Sequence, residues 1–327
     1  MVDKRNGWID MTRVAASVGI ILCHVDLTGY GALGTLLGQF LSCRFSVMFF
    51  LAIIGFYLEK SPGFLKKRVI SLVRVYGLWS LVYLAFSFGM VVLIQGAPLG
   101  RFLLGKVRDF FLSGSYYHFW FYPAVIYSLL FIGLVKKILG HKALNFLIPL
   151  ALFLYVVGLM GTGYLPLGRQ IPGLADFYNA ERFEAVMHLG LLGFPSMVLG
   201  MAVARNSKKC PGWKVLMAAA LYVAESMVLC LGLGWVENPQ MLAATPLLTI
   251  LFLRWIQGVR GCKGNGYRFR VISSGMYNVH PLVLAVLGIL MPGLSGLWTF
   301  CLCVVCSGAF GWVLYQLKKV RIIGLFI

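Results

Sequence analysis

The chain has 327 residues, of which 60% are hydrophobic and only 12% charged, with a mean hydropathy of +0.86. A soluble domain usually carries about 25% charged residues, so this composition excludes a soluble protein and points to repeated membrane passes. The formal charge of +19 comes from 29 Lys and Arg against 10 Asp and Glu. The basic residues sit in short clusters between apolar runs, which reads as membrane topology and not as a nucleic-acid surface.

The apolar runs last about 18–25 residues, whereas a strand barrel alternates apolar and polar residues in segments of roughly 10. The predicted fold is therefore an all-α, polytopic helical bundle. Ten spans are predicted, near residues 8–27, 36–58, 69–94, 119–135, 143–161, 186–204, 213–232, 239–257, 271–291 and 297–317. The first contains Asp10 and Arg13 and lacks a small-residue cleavage site, so it reads as a retained helix and not a signal peptide. Twenty-one of the 29 Lys and Arg fall on the side that holds both termini and six on the other. The positive-inside rule then predicts that both termini are cytoplasmic. No stretch is long and polar enough for a soluble domain, so residues 1–327 are expected to form one membrane domain.

The first span opens Ile9-Asp10-Met11-Thr12-Arg13 and ends Cys23-His24-Val25-Asp26. Asp10 and Arg13 are three apart and share a helix face. Arg13 and His24 are eleven apart, about 16 Å of helical rise and close to three whole turns, so they lie on one stripe. Ionisable residues inside a span are functional candidates by default. The plainer alternative is that Arg13 snorkels and Asp10 merely pairs with it. Arg44 opens the second span, either facing a substrate anion or anchoring at the interface.

The basic stretch Phe64-Leu65-Lys66-Lys67-Arg68 follows, with Arg74 about two turns into the third span. Topology alone explains Lys66 and Lys67. Arg68 and Arg74 together are candidates for gripping the phosphates of a ligand that arrives from the cytoplasm. His118 enters the fourth span within Tyr116-Tyr117-His118-Phe119-Trp120-Phe121. Glu225 in the seventh span lies in a largely apolar run and is open to pairing with an arginine elsewhere or with a substrate. In the ninth span His280 precedes Pro281, which leaves the carbonyl of Tyr277 without its helical donor and predicts a break beside the histidine. Among the eight cysteines, Cys301, Cys303 and Cys306 only superficially resemble a metal-site spacing and are expected to be helix-packing residues. No metal is expected.

Taken in order, Ile9-Asp10 with Arg13 and His24, the Arg44 to Gly55-Phe56 segment, the basic stretch from Phe64 to Tyr76, His118-Phe119-Trp120-Phe121 and Tyr277-Asn278-Val279-His280-Pro281 resemble the acyltransferase 3 family of integral-membrane acyltransferases. Such proteins take an acyl group, usually acetyl, from cytoplasmic acyl-CoA and place it on a hydroxyl of a lipid-linked sugar or envelope polysaccharide. The resemblance implies a bacterial inner-membrane O-acyltransferase with acetyl-CoA or another acyl-CoA as donor. It makes His24 the leading catalytic residue and Arg13 its companion, and makes Arg68 and Arg74 candidates for the CoA phosphates. Asp10 would orient Arg13, and Arg13, Arg44 or His118 would stabilise developing negative charge. The chain departs from the family pattern at Met48 and Ile54 and in the placing of its second basic-stretch arginine.

The His118 and His280 segments also resemble the membrane domain attached to serine racemases of vancomycin resistance, which is associated with serine supply or transport. A transporter of serine or a related small amino acid is therefore the alternative function. On either reading, the outward segments near 95–118 and 162–185 are expected to set specificity.

Overall fold

The computed structural model describes residues 6–61, 63, 65–180, 182–206, 208–259, 266–320 and 323–326. Phe64 of the basic stretch lies outside the described residues, as do Lys4, Arg5, Arg260, Lys263 and Arg321 among the counted basic residues, Glu181 among the acids and Cys262 among the cysteines. The regular elements among the described residues are all helical, with no strand. The principal helices are α1 (Gly7–Cys23), α2 (Arg44–Lys60), α3 (Leu65–Ser87), α4 (Leu99–Leu112), α5 (Phe121–Leu139), α6 (Ala143–Met160), α7 (Phe194–Arg205), α8 (Gly212–Met227), α9 (Ala244–Gly258), α10 (Gly266–Leu290) and α11 (Gly296–Gln316). Wider π-helical turns extend α3 over Phe88–Ile94, lead into α7 over Met187–Gly193 and extend α8 over Val228–Gly232.

Among the described residues, seven continuous helical stretches are long and apolar enough to cross a membrane, so the chain is a multi-pass membrane protein. One of them, the 40-residue stretch Phe121–Met160, folds back on itself. Gly140 at φ +55° ends α5, and Leu144, Leu147 and Ala151 of α6 then join Leu129 and Ile132 of α5 in one core. A residue with a side chain is strained at that φ, so the glycine is what permits the reversal. Helices α1 (17 residues) and α9 (15 residues) are shorter than the roughly 20 residues of an average span.

The two central stretches are Thr28–Lys60, which contains α2, and Phe183–Arg205, which contains α7; both are mostly buried, whereas α11 is mostly not. They meet backbone to backbone. A Cβ on Gly55 would overlap the carbonyl of Met197, and a Cβ on Gly200 would overlap the carbonyl of Ala52. The contact is reciprocal, one glycine from each helix, as expected where dispersion and close approach replace the hydrophobic effect.

Two features differ from the sequence expectation. The segment 95–118 contains α4, whose Leu104 and Val107 are 76% and 60% exposed while Phe102 is buried. This 14-residue amphipathic helix has the character of one lying along an interface. Among the described residues Glu225 forms no ion pair with an arginine, and it does not line the cavity described below. Its carboxylate accepts the backbone N–H groups of Ala243 (2.6 Å) and Ala244 (2.7 Å) and the hydroxyl of Tyr164 (2.8 Å). It caps the N-terminus of α9, whose first amides have no partner within the helix.

Candidate active site

A cavity of about 750 Å³ runs between α1, α2, α3, α5 and α10, within the usual size range of ligand pockets. Its lining changes character along its length. Arg13 comes from the first half of α1, Lys67 and Arg68 from the start of α3, and Tyr267 and Arg270 from the start of α10. These residues form a basic end. The C-terminal end of α1 and the N-terminal ends of α2 and α5 supply His24, Arg44, His118 and Trp120 to the other end.

Asp10 organises the basic end from behind. Its side chain is 1% exposed and lies 3.7 Å from Arg13 and 3.8 Å from Arg270. The i, i+3 spacing delivers Arg13, and the packing of α10 on α1 delivers Arg270. One carboxylate thus holds two guanidinium groups while both keep a face on the cavity. Arg68 lines the cavity with Ser71 and Leu72, three and four residues on. Arg74 does not. It is exposed and absent from the lining, because six residues at 100° each carry it roughly 120° round the helix from Arg68. The structure therefore separates the pair expected to act together.

At the far end, His24, His118 and His280 come together from three separate elements. The His24 and His280 rings stack with centroids 5.2 Å apart, and His118 meets His280 edge-on at 5.4 Å. His24 forms the C-cap of α1, its backbone N–H donating to the carbonyl of Ile21. His280 is fully buried, and its Nδ1 lies 2.8 Å from the Tyr277 carbonyl, which Pro281 has left without a backbone donor. A carbonyl only accepts, so Nδ1 carries the proton. In the neutral ring Nε2 is then a bare acceptor, and it has no hydrogen-bond partner among the described residues.

His118 is placed by its loop. The Tyr76 hydroxyl donates to the Phe110 carbonyl and accepts the Ser115 N–H, Ser80 and Ser115 share a hydrogen bond of 2.7 Å, and the Tyr277 hydroxyl donates to the His118 carbonyl. The imidazole itself has no side-chain hydrogen-bond partner among the described residues. α10 runs without interruption through Pro281, so the break expected from sequence is absent and only the donor to Tyr277 is lost. Asn278 ties this stretch of α10 to its neighbours, since its carbonyl accepts from Tyr83 and its side-chain oxygen from Tyr122, both at 2.8 Å.

Arg44 is held by two hydrogen bonds. Its Nε donates to the Gln39 carbonyl at 2.6 Å and its Nη1 to Gln240 Oε1 at 2.9 Å, and the side chain lines the cavity. Beside it are three lining residues that the sequence reading did not single out as site residues: Gln240, Glu184 and His188. His188 stacks flat on Trp120, with ring centroids 3.9 Å apart and an 8° tilt. The signal for it existed, an imidazole inside a predicted span. From sequence alone Arg270 is one of the 21 Lys and Arg on the side that holds the termini. Among the described residues, no group of three or more His, Cys, Asp or Glu is arranged to hold a metal ion.

The chain is 25% identical to an amino-acid racemase of Enterococcus faecalis over 98% of its own length and 47% of the relative. It is 26% identical to a serine/alanine racemase of Enterococcus gallinarum over 86% of its length and 41% of the relative, and 29% identical to a second E. faecalis amino-acid racemase over 52% of its length and 24% of the relative. The chain thus spans at most about half the length of these curated relatives. No solved structure matches it. Residues 6–316, from before Asp10 to beyond His280, match the acyltransferase domain that defines the acyltransferase 3 family. The chain belongs to that family.

Proposed function

We propose that the protein is an O-acyltransferase of the bacterial inner membrane, moving an acyl group, most simply acetyl, from cytoplasmic acyl-CoA to a hydroxyl of an envelope glycan or lipid-linked sugar. The observation that carries this reading is the single cavity with Arg13, Lys67, Arg68 and Arg270 at one end and His24 at the other. In this scheme the chain crosses the membrane ten times, with α1, the two arms of the Phe121–Met160 hairpin and α9 each making one pass and both termini in the cytoplasm. The basic end then opens to the cytoplasm, where it meets the phosphates of CoA. The pantetheine arm extends the roughly 16 Å from Arg13 to His24.

His24 acts as general base toward the acceptor hydroxyl. The alcohol oxygen bonds to the thioester carbonyl carbon as its proton passes to His24. The C–S bond then breaks, and the departing CoA thiolate takes that proton. Arg44, fixed by Gln39 and Gln240, stabilises the oxyanion of the intermediate. His118 and His280 hold the His24 ring in place. The test is acceptor-dependent release of free CoA thiol by protein in membrane vesicles, lost in His24→Ala.

A second reading rests on the relatives, which are amino-acid and serine/alanine racemases. Under it the same cavity conducts serine or a related small amino acid, and acyl-CoA does not bind. Labelled serine uptake into vesicles with no CoA release selects that reading.

A further inference from the structure

On the opposite side of α2 from the cavity lies a second hollow of about 540 Å³. Met48 of α2 faces this hollow, whereas Val47, Phe50 and Ile54 face the cavity. It is a slot. Val198 and Ala202 of α7 form its floor, Ile148 and Leu152 of α6 one wall, and Pro246 and Ile250 of α9 the other. Ile148 is 44% and Leu152 64% exposed, so the slot opens at the lipid-facing surface of the bundle.

The charged lining is confined to one end, while Ser196 and Tyr155 farther along have their hydroxyls bonded to the backbone carbonyls of Leu192 and Leu242. Asn145, near the start of α6, Arg205 at the end of α7 and Arg254 near the end of α9 all lie there. Arg254 Nε is buried and has no hydrogen-bond partner among the described residues. Among the described residues the guanidinium of Arg205 donates to the carbonyl of His141, at 3.4 Å. Buried N–H donors ordinarily have acceptors, and an unpaired one asks for a ligand. From Asn145 to Tyr155 the slot follows ten residues of helix, roughly 15 Å, which is half of the ~30 Å hydrocarbon core. That is the depth of one leaflet.

We propose that this slot binds an anionic phospholipid, with one acyl chain along α6, α7 and α9 and the phosphate on Arg254 and Arg205. Two arginines at the end of an apolar groove one leaflet deep are complementary to a molecule whose charge sits at one end of a hydrocarbon chain. The bound lipid braces α7 and α2, the pair whose backbones touch at Gly55 and Gly200. It is not part of the acyl-transfer site.

The experiment reconstitutes the full chain in nanodiscs of phosphatidylcholine with or without phosphatidylglycerol and measures thermal stability. Native mass spectrometry of detergent-purified protein then titrates phosphatidylglycerol against phosphatidylcholine and against a free fatty acid. The proposal expects phosphatidylglycerol to raise the melting temperature and to bind at least tenfold more tightly than phosphatidylcholine. Both preferences should collapse in Arg254→Gln. Ala202→Phe, which fills the floor without touching a charge, should displace the lipid, and it keeps the test informative if Arg254→Gln folds poorly. Equal binding of the two phospholipids, an undiminished preference in both variants, preferential binding of the fatty acid, or occupation of the slot by a second copy of the chain would each overturn it.

Discussion

The Nδ1 of His280 lies 2.8 Å from the carbonyl oxygen of Tyr277. In an unbroken helix that oxygen would accept from the backbone N–H of residue 281, and Pro281 has none. The proline thus does more than loosen α10. It frees the acceptor that fixes the tautomer of His280, and with it the direction in which the unprotonated Nε2 points, beside His24. A Pro281→Ala variant supplies a backbone N–H that competes for the same carbonyl. The variant should fold, because the helix is completed, but kcat should fall about tenfold to a hundredfold with KM little changed, as misplacement of a positioned group costs that much. Steady-state kinetics in membrane vesicles check this split.

His24 and His280 differ in their access to the cavity. Only His24 is in the lining; His280 touches it from behind. His24→Ala should therefore lower kcat by about 10²–10⁴, the range of general-base catalysis, while leaving acyl-CoA affinity intact. His280→Asn offers a side-chain N–H to the Tyr277 carbonyl and should retain more activity than His280→Ala. Comparable losses in those two variants would show that the hydrogen bond to Tyr277 is irrelevant to the reaction.

The carboxylate of Asp10 holds Arg13 and Arg270 together. Asp10→Asn leaves two guanidinium groups facing each other with their shared counter-charge gone. Breaking a buried pair by removing one partner typically costs about 3–5 kcal/mol, and exposure of the arginines to the cavity reduces that figure. The expected result is a lower melting temperature together with weaker acyl-CoA binding. Gly266→Ala probes the same point sterically, since its Cβ would sit 2.6 Å from Asp10 Oδ2. It should reproduce the binding defect without removing any charge.

Glu225→Ala removes the cap of α9 and should destabilise the fold by about 0.5–2 kcal/mol, with activity per folded molecule unchanged. Thermal unfolding and kinetics measured on the same preparation separate the two effects.

Outside the membrane-spanning helices, Arg169 grips Glu237 through two parallel hydrogen bonds of 2.8 and 2.6 Å, which hold the Glu237 carboxyl below its ordinary range. A carboxylate depressed in the folded state contributes stability above its unfolded pKa and loses it as pH falls through the folded value. The pair is largely exposed, so a double-mutant cycle should return about 0.2–1 kcal/mol at neutral pH. The coupling should decline on acidification below the ordinary glutamate range.

The helical class was legible because apolar runs of membrane length have few alternative structures. Asp10, Arg13 and His24 were legible as a stripe because one helix carries all three. Arg270 and His188 reach the cavity from other elements, and which helices neighbour α1 is a property of packing that no periodicity encodes. Glu225 was misjudged for a related reason. Its partners are backbone amides at the start of α9, inside a segment assigned from sequence to the interior of a span that began at 239. Arg74 is the opposite case. The helical period already places it off the face shared by Arg68, Ser71 and Leu72, and only its proximity in sequence suggested otherwise.

The central claim is that acyl-CoA enters the cavity by its basic end. Equilibrium binding of labelled acetyl-CoA to folded, detergent-purified protein tests it directly, with Arg68→Ala, Arg74→Ala and labelled serine as comparisons. The account predicts saturable binding that weakens about tenfold to a hundredfold in Arg68→Ala, the cost of a charge-assisted contact, and is unchanged in Arg74→Ala. Absence of saturable acetyl-CoA binding to folded protein, with serine bound in its place, would contradict it.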